Sequence, residues 1–128
     1  MINLSDCKQI HCIGIGGIGL SAIAEILLSR GYKVTGSDMR ESDITAKLEA
    51  DGGKIFLGHS AENIDGADLV VYSAAVGADN PEMAKAKELG IPTASRAVTS
   101  SLLSTLTMQR QVQSSARIPV PALSTVSR

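Results

Sequence analysis

His11-Cys12-Ile13-Gly14-Ile15-Gly16-Gly17-Ile18-Gly19-Leu20-Ser21-Ala22 runs from an apolar stretch, through glycines at 14, 16 and 19, into a helix-forming segment. That order is what a backbone needs to bring bare N–H groups close to a phosphate. Gly14 permits the tight turn out of a strand, and Gly16 leaves no side chain between backbone and ligand. Gly19 lets the helix pack closely on the sheet, and the helix N-terminus offers unpaired donors and partial positive charge. The implied chemistry is diphosphate binding, with a nucleotide as carrier.

A glycine-rich turn is weak evidence until its context agrees. Gln9 to Ile13 supplies a short apolar strand before the glycines, and Ile18 to Arg30 supplies a helix after them, with Ile23, Ile26 and Leu27 at helical spacing. A carboxylate should lie about 20 positions on, at the end of the second strand, to reach sugar hydroxyls. Lys33-Val34-Thr35-Gly36-Ser37-Asp38 places Asp38 there. The plainer alternative is a turn that serves only helix–strand packing, with Asp38 as a cap.

Strand and helix signals continue to alternate. Ser42-Asp43 opens a second helix that closes at Gly52-Gly53, and Lys54-Ile55-Phe56-Leu57 is a short third strand. Ala67 to Ser73 is a fourth strand whose unbroken apolar run implies burial on both faces. Asn80-Pro81-Glu82 starts a helix that ends at Gly90, and Ile91 to Ala94 gives a fifth strand that Pro92 confines to an edge. The fold class is α/β: a Rossmann-like, doubly wound parallel sheet of about five strands with helices on both faces. Ligands then sit beyond the carboxyl ends of the strands, so Gly14 to Gly19, Asp38 to Arg40 and Ser73 to Asn80 are the suspect loops.

The formal charge of −1 over 128 residues gives no nucleic-acid footprint, and the scarce aromatics (Tyr32, Phe56, Tyr72, no tryptophan) offer no base-stacking platform. No stretch approaches a membrane span, and the chain start lacks a secretion signal. Cys7 and Cys12 fit neither a zinc knuckle nor a C-x-x-C pair, which points to a reducing compartment and a cytoplasmic location. Past about Arg96 the character changes. Glu88 is the last acidic residue, serine and threonine crowd the segment from Thr99 to Thr107, and Pro119 and Pro121 interrupt the remainder. The expected organisation is one domain over 1–98 and a divergent tail over 99–128, helical at first and poorly ordered from about 109, non-native or truncated in origin.

The motifs taken together resemble the N-terminal domain of the Mur ligases. The matching pieces are the glycine run, Gly36-Ser37-Asp38, Gly58-His59 with Asn63-Ile64, Val71-Tyr72-Ser73-Ala74-Ala75-Val76, Asn80-Pro81-Glu82, and Gly90-Ile91-Pro92 with Ser95-Arg96-Ala97. They cover nearly everything from residue 8 to 98. Within the family they are most similar to the member that joins L-alanine to UDP-N-acetylmuramate. The resemblance implies a cytoplasmic, ATP-dependent amide-forming ligase of peptidoglycan precursor synthesis. Its first domain binds the UDP-sugar, a central domain binds ATP and magnesium, and a third takes the amino acid. Carried over, it assigns Gly14, Ile15, Gly16, Gly17, Ile18 and Gly19 to the UDP diphosphate. Asp38, Met39 and Arg40 approach the uridine, and Ser73 and Asn80 border the same cleft.

One departure matters. No G-x-x-x-x-G-K-[ST] phosphate loop occurs in this chain, so catalysis by it alone is not expected. No catalytic residue, metal or cofactor is assigned to it, and its partners are UDP-N-acetylmuramate and the central and C-terminal ligase domains. The runner-up reading is an NAD-binding module of a dehydrogenase or sensor, which the glycines and Asp38 alone permit. A partner-docking module without a small ligand is the third. His11 reads as a packed strand histidine rather than a ligand-facing one, His59 as cleft-shaping or loop-stabilising, and Arg40 as a solvated arginine or an anion partner.

Overall fold

The computed structural model of the chain describes residues 3–104. β1 (Gln9–Ile13) leads through the glycine turn into α1 (Ile18–Ser29), followed by β2 (Lys33–Asp38), α2 (Asp43–Ala50) and β3 (Lys54–Leu57). A 3-10 turn at Ala61–Ile64 precedes β4 (Leu69–Tyr72), α3 (Pro81–Leu89) and β5 (Thr93–Ser95). Every pairing is parallel, in the order β3-β2-β1-β4-β5. The order reverses between β1 and β4, which makes the end of β1 the switch point of a doubly wound sheet.

The alternation along β1 distributes its side chains between two cores. Ile10 and Cys12 pack with Leu20, Ile23, Leu27 and Leu48 from α1 and α2. Ile13 packs on the opposite face with Ile64, Val70, Met83 and Ala86. Leu69, Val70 and Val71 of β4 are all fully buried, as their continuous apolar run requires. Cys7 and Cys12 are free thiols, and burial pushes Cys12 up to about 12, which makes it unreactive.

Local chemistry sets the element ends. Ser42 caps α2 in a reciprocal pair with Thr45. The Asn80 side chain caps α3 by accepting from the Glu82 amide, Pro81 fits the first turn, and Gly90 at φ +73° ends the helix. β5 starts at Thr93 rather than Ile91. Pro92 has no N–H to give the ladder, although its carbonyl still accepts from Val70 at 3.0 Å. The chain is helical over 96–104, across the boundary expected at 98, with Thr99 and Leu103 buried. The poorly ordered tail expected from about 109 lies outside the described residues. No described helix is long and apolar enough to cross a membrane.

Gly36 shows how the sheet shapes the glycine turn. It is buried in β2, and a Cβ built on it would lie 2.4 Å from Ile15 Cδ1 and 2.7 Å from Ile15 Cβ. Because Ile15 Cβ itself is in the way, no rotamer change clears the space and the loop backbone must shift. Gly36→Ala is therefore expected to lose about 1–3 kcal/mol of stability by overpacking, read as a lower urea midpoint. An unchanged midpoint would mean that Ile15 is not wedged against β2.

Candidate functional site

The turn after β1 does not present bare amides along its whole length. The Gly14 and Ile15 N–H groups both donate to the Ser37 carbonyl, at 2.8 and 3.0 Å. Gly16 N–H donates to Asp38 Oδ2 at 2.9 Å, and Gly17 N–H to the Gly14 carbonyl at 3.0 Å. The intrahelical ladder of α1 begins only with Ser21 N–H on the Gly17 carbonyl. Gly17, the cap residue, contributes no side-chain bond. The amides left for a ligand are thus those of Ile18, Gly19 and Leu20, at the positive end of α1. Asp38, expected to reach sugar hydroxyls, holds the turn in place through Oδ2, and its other oxygen is taken by Arg40 N–H at 3.2 Å.

Around that helix end the structure gathers some of the expected residues and leaves others apart. Gly14, at φ +82°, has Ser73 Oγ 3.2 Å from where its Cβ would stand. Arg96 lies across Gly19, its Cδ 2.6 Å and Nη1 3.1 Å from an added Cβ. A guanidinium and a helix N-terminus therefore face the same space, and among the described residues no carboxylate lies within ion-pair distance of Arg96. Met39 is exposed. Arg40 lines a separate depression of about 190 Å³ with Thr45, Glu49 and Phe56, between α2 and β3. Asn80 is engaged as the cap of α3.

Beneath the strand ends sits a polar cluster whose organising residue reads in the sequence only as the start of a helix. Glu82 of α3 is fully buried. Its Oε1 receives His11 Nε2 at 2.5 Å and Ser37 Oγ at 2.7 Å; its Oε2 receives Ser60 N–H at 3.0 Å and Asn63 Nδ2 at 2.9 Å. His11 is completed by Thr35 Oγ1 at 2.7 Å from Nδ1. Burial alone raises the Glu82 carboxyl, but the hydrogen bonds from His11, Ser37 and Asn63, with the electrostatic pull of His11, outweigh it. They hold the carboxyl down at about 2. Ser37 has one O–H and gives it to Glu82, so the 2.8 Å contact with His59 Nδ1 must run from the imidazole N–H to Ser37.

Ser37, His59 and Glu82 thus lie together without forming a nucleophilic triad. Ser37 is fully buried, and the carboxylate that accepts its O–H is held at about 2, too weak a base to take the proton. The His59 imidazole donates to Ser37 rather than accepting from it. The signal for this cluster was present in the alternation. His11, Thr35 and Ser37 all fall on one face of two adjacent strands, paired His11↔Thr35 and Ile13↔Ser37. Three polar residues on a covered face need a buried partner. Among the described residues no group of three or more His, Cys, Asp or Glu is placed to hold a metal ion.

Comparison with known proteins matches this arrangement to one family. The model of the Mur ligase family, catalytic domain, matches residues 9–106. A UDP-N-acetylmuramate–L-alanine ligase of Acetivibrio thermocellus is 66% identical over 90 residues, 70% of this chain and 19% of the relative. That of Alkaliphilus metalliredigens is 64% identical over 90 residues, 70% of this chain and 20% of the relative. The crystal structure of UDP-N-acetylmuramate-alanine ligase from Thermotoga maritima superposes with a TM-score of 0.70 at 41% identity, over 78% of this chain and 23% of that one. The chain spans about a fifth of the length of the curated relatives it matches. With the parallel sheet, the glycine turn after β1 and a family match over most of its length, this chain belongs to the Mur ligase family.

Proposed function

We propose that the chain is the UDP-sugar-binding N-terminal domain of a cytoplasmic, ATP-dependent ligase that adds L-alanine to UDP-N-acetylmuramate in peptidoglycan precursor synthesis. The observation that carries this reading is the open first turn of α1 at the sheet's switch point, with Arg96 laid over Gly19. A diphosphate there would accept from the Ile18, Gly19 and Leu20 amides and neutralise the guanidinium. The lack of a side chain at Gly17, where a Cβ would meet only the Gly14 carbonyl, lets it approach, and the bare Gly16 lets the turn lie close on Asp38. Ser73 borders the cleft beside Gly14, and Asn80 closes the loop that runs on from it. Asp38, with Met39 next to it in the chain, would approach the uridine, and Arg40 would have to turn from the depression between α2 and β3 to join it. The similarity to ligases named for UDP-N-acetylmuramate supports the sugar nucleotide as ligand.

ATP and magnesium belong to the remaining part of such a ligase. The chain has no lysine-bearing phosphate loop, and its described residues hold no metal cluster, so what is present does not fit them. The chain alone binds substrate and turns over no ATP. An NAD-binding reading keeps one observation in its favour, the carboxylate at the end of β2, but Asp38 is already engaged by Gly16 and Arg40. Isothermal titration separates the two. UDP-N-acetylmuramate and UDP should bind to the 128-residue chain and NADH should not. Silence toward UDP-N-acetylmuramate at millimolar concentration would overturn the reading.

A further inference from the structure

The Glu82 carboxylate divides its work between two directions. Oε2 faces the segment after β3, where it receives Ser60 N–H and Asn63 Nδ2; Asn63 also donates to the Gly58 carbonyl at 3.2 Å. Oε1 faces the sheet, where it receives His11 and Ser37. The Ser37 hydroxyl is held from two sides, donating to Glu82 and accepting from His59. The carbonyl of the same residue accepts the first two amides of the glycine turn, and the next residue, Asp38, accepts the third. Three successive turn amides therefore hang on residues 37 and 38.

We propose that Glu82 is a positioning residue for the glycine turn: through Ser37 Oγ it holds the Ser37 peptide in the placement that aims the first turn of α1 at its anion. As a stability device a buried carboxylate is a poor choice, because well-packed apolar residues of similar size often serve as well or better. What a fully bonded buried carboxylate supplies is one defined geometry, and here a direct line runs from it to the turn. The inference rests on reading the turn as the diphosphate site, yet its first consequence is visible with no ligand present.

The two oxygens make it testable. Native-state hydrogen exchange on the 128-residue chain is measured for the wild type, Glu82→Gln, Ser37→Ala and Asn63→Ala. Gly14, Ile15 and Gly16 amides are compared with Val70 and Val71 in the sheet. In Glu82→Gln and Ser37→Ala the turn should lose about tenfold in protection relative to the sheet, whereas Asn63→Ala should shift turn and sheet alike. UDP-N-acetylmuramate affinity should fall about tenfold in the first two and stay within about twofold in Asn63→Ala. If Glu82→Gln does not fold, Ser37→Ala decides. Turn protection that tracks the sheet in Ser37→Ala overturns the proposal and leaves Glu82 a pin for α3. Should the wild type bind no UDP-sugar, the functional reading fails while the exchange comparison still decides this one.

Discussion

Replacing Glu82 with alanine is expected to lower the stability of the chain by about 3–5 kcal/mol at pH 7, the usual loss when one partner of a buried charged network is removed. Four donors lose their acceptor at once: His11 Nε2, Ser37 Oγ, Ser60 N–H and Asn63 Nδ2. They come from β1, β2 and the segment between β3 and β4, so relaxing one side chain cannot satisfy the others. A buried donor left unpaired loses its desolvation free energy without return. In a domain of this size each kcal/mol lowers the melting temperature by about 4–8 °C, so the effect is large on any thermal or urea measurement.

The loss should also depend on pH, and its sign comes from the carboxyl being held down. Glu82 falls from an ordinary 4.5 to about 2 in the folded chain. The folded state therefore favours the ionised form. The stabilisation this gives is fully present above pH 4.5 and disappears as pH falls toward 2. A depression of that size corresponds to about 3 kcal/mol. The gap between wild type and Glu82→Ala should accordingly be widest at pH 6 to 7 and narrow progressively between pH 5 and pH 2. Urea midpoints of both proteins at pH 7, 5 and 3 would show it. A gap that stays constant over that range, or one below about 1 kcal/mol at pH 7, would mean that water or a local shift replaces the carboxylate.

The fold was legible because its signals are short-range. Strand and helix alternate at the period of βαβ units, and right-handed crossovers leave few ways to arrange them. Helix ends were legible for the same reason: Asn80, Pro81 and Gly90 act within a turn of where they stand. Pro92 acts locally too, yet it moved the start of β5 by two residues, because an apolar run shows a strand's existence better than its first ladder bond. The site was legible in part. Glycines at 14, 16 and 19 show where the backbone is unencumbered, but not which acceptors fold back onto it. Ser37 and Asp38 lie more than 20 positions away and take three of the turn's amides. Glu82 was harder still. It lies 71 positions from His11, and only the covered face of β1 and β2 makes a buried carboxylate necessary.

Gly16→Val is expected to abolish UDP-N-acetylmuramate binding while leaving the chain folded. A Cβ at Gly16 would lie 2.9 Å from Asp38 Oδ2, 3.2 Å from Asp38 Cγ and 3.3 Å from Thr45 Cγ2. The oxygen it strikes is the acceptor of Gly16's own amide, so the substitution pushes away the group that fixes the turn. Two branched methyls enlarge the conflict, and the turn must lift from β2 toward the space assigned to the diphosphate. Losing even one or two charge-assisted bonds to phosphate is worth about 3 kcal/mol, or about 100-fold in affinity. The stability loss should be smaller, about 1–3 kcal/mol, because Gly16 sits at the rim of the core, half-buried rather than enclosed. Gly17→Ala separates the two effects. Its Cβ would meet only the Gly14 carbonyl, at 3.4 Å, so the turn keeps its shape. Affinity lost there reports a ligand close to the backbone, not a displaced loop. Calorimetric titration of both variants, with circular dichroism as the check on folding, gives the answer. A folded Gly16→Val that binds the sugar nucleotide as tightly as the wild type would show that the turn is packing alone and that the ligand lies elsewhere on the sheet.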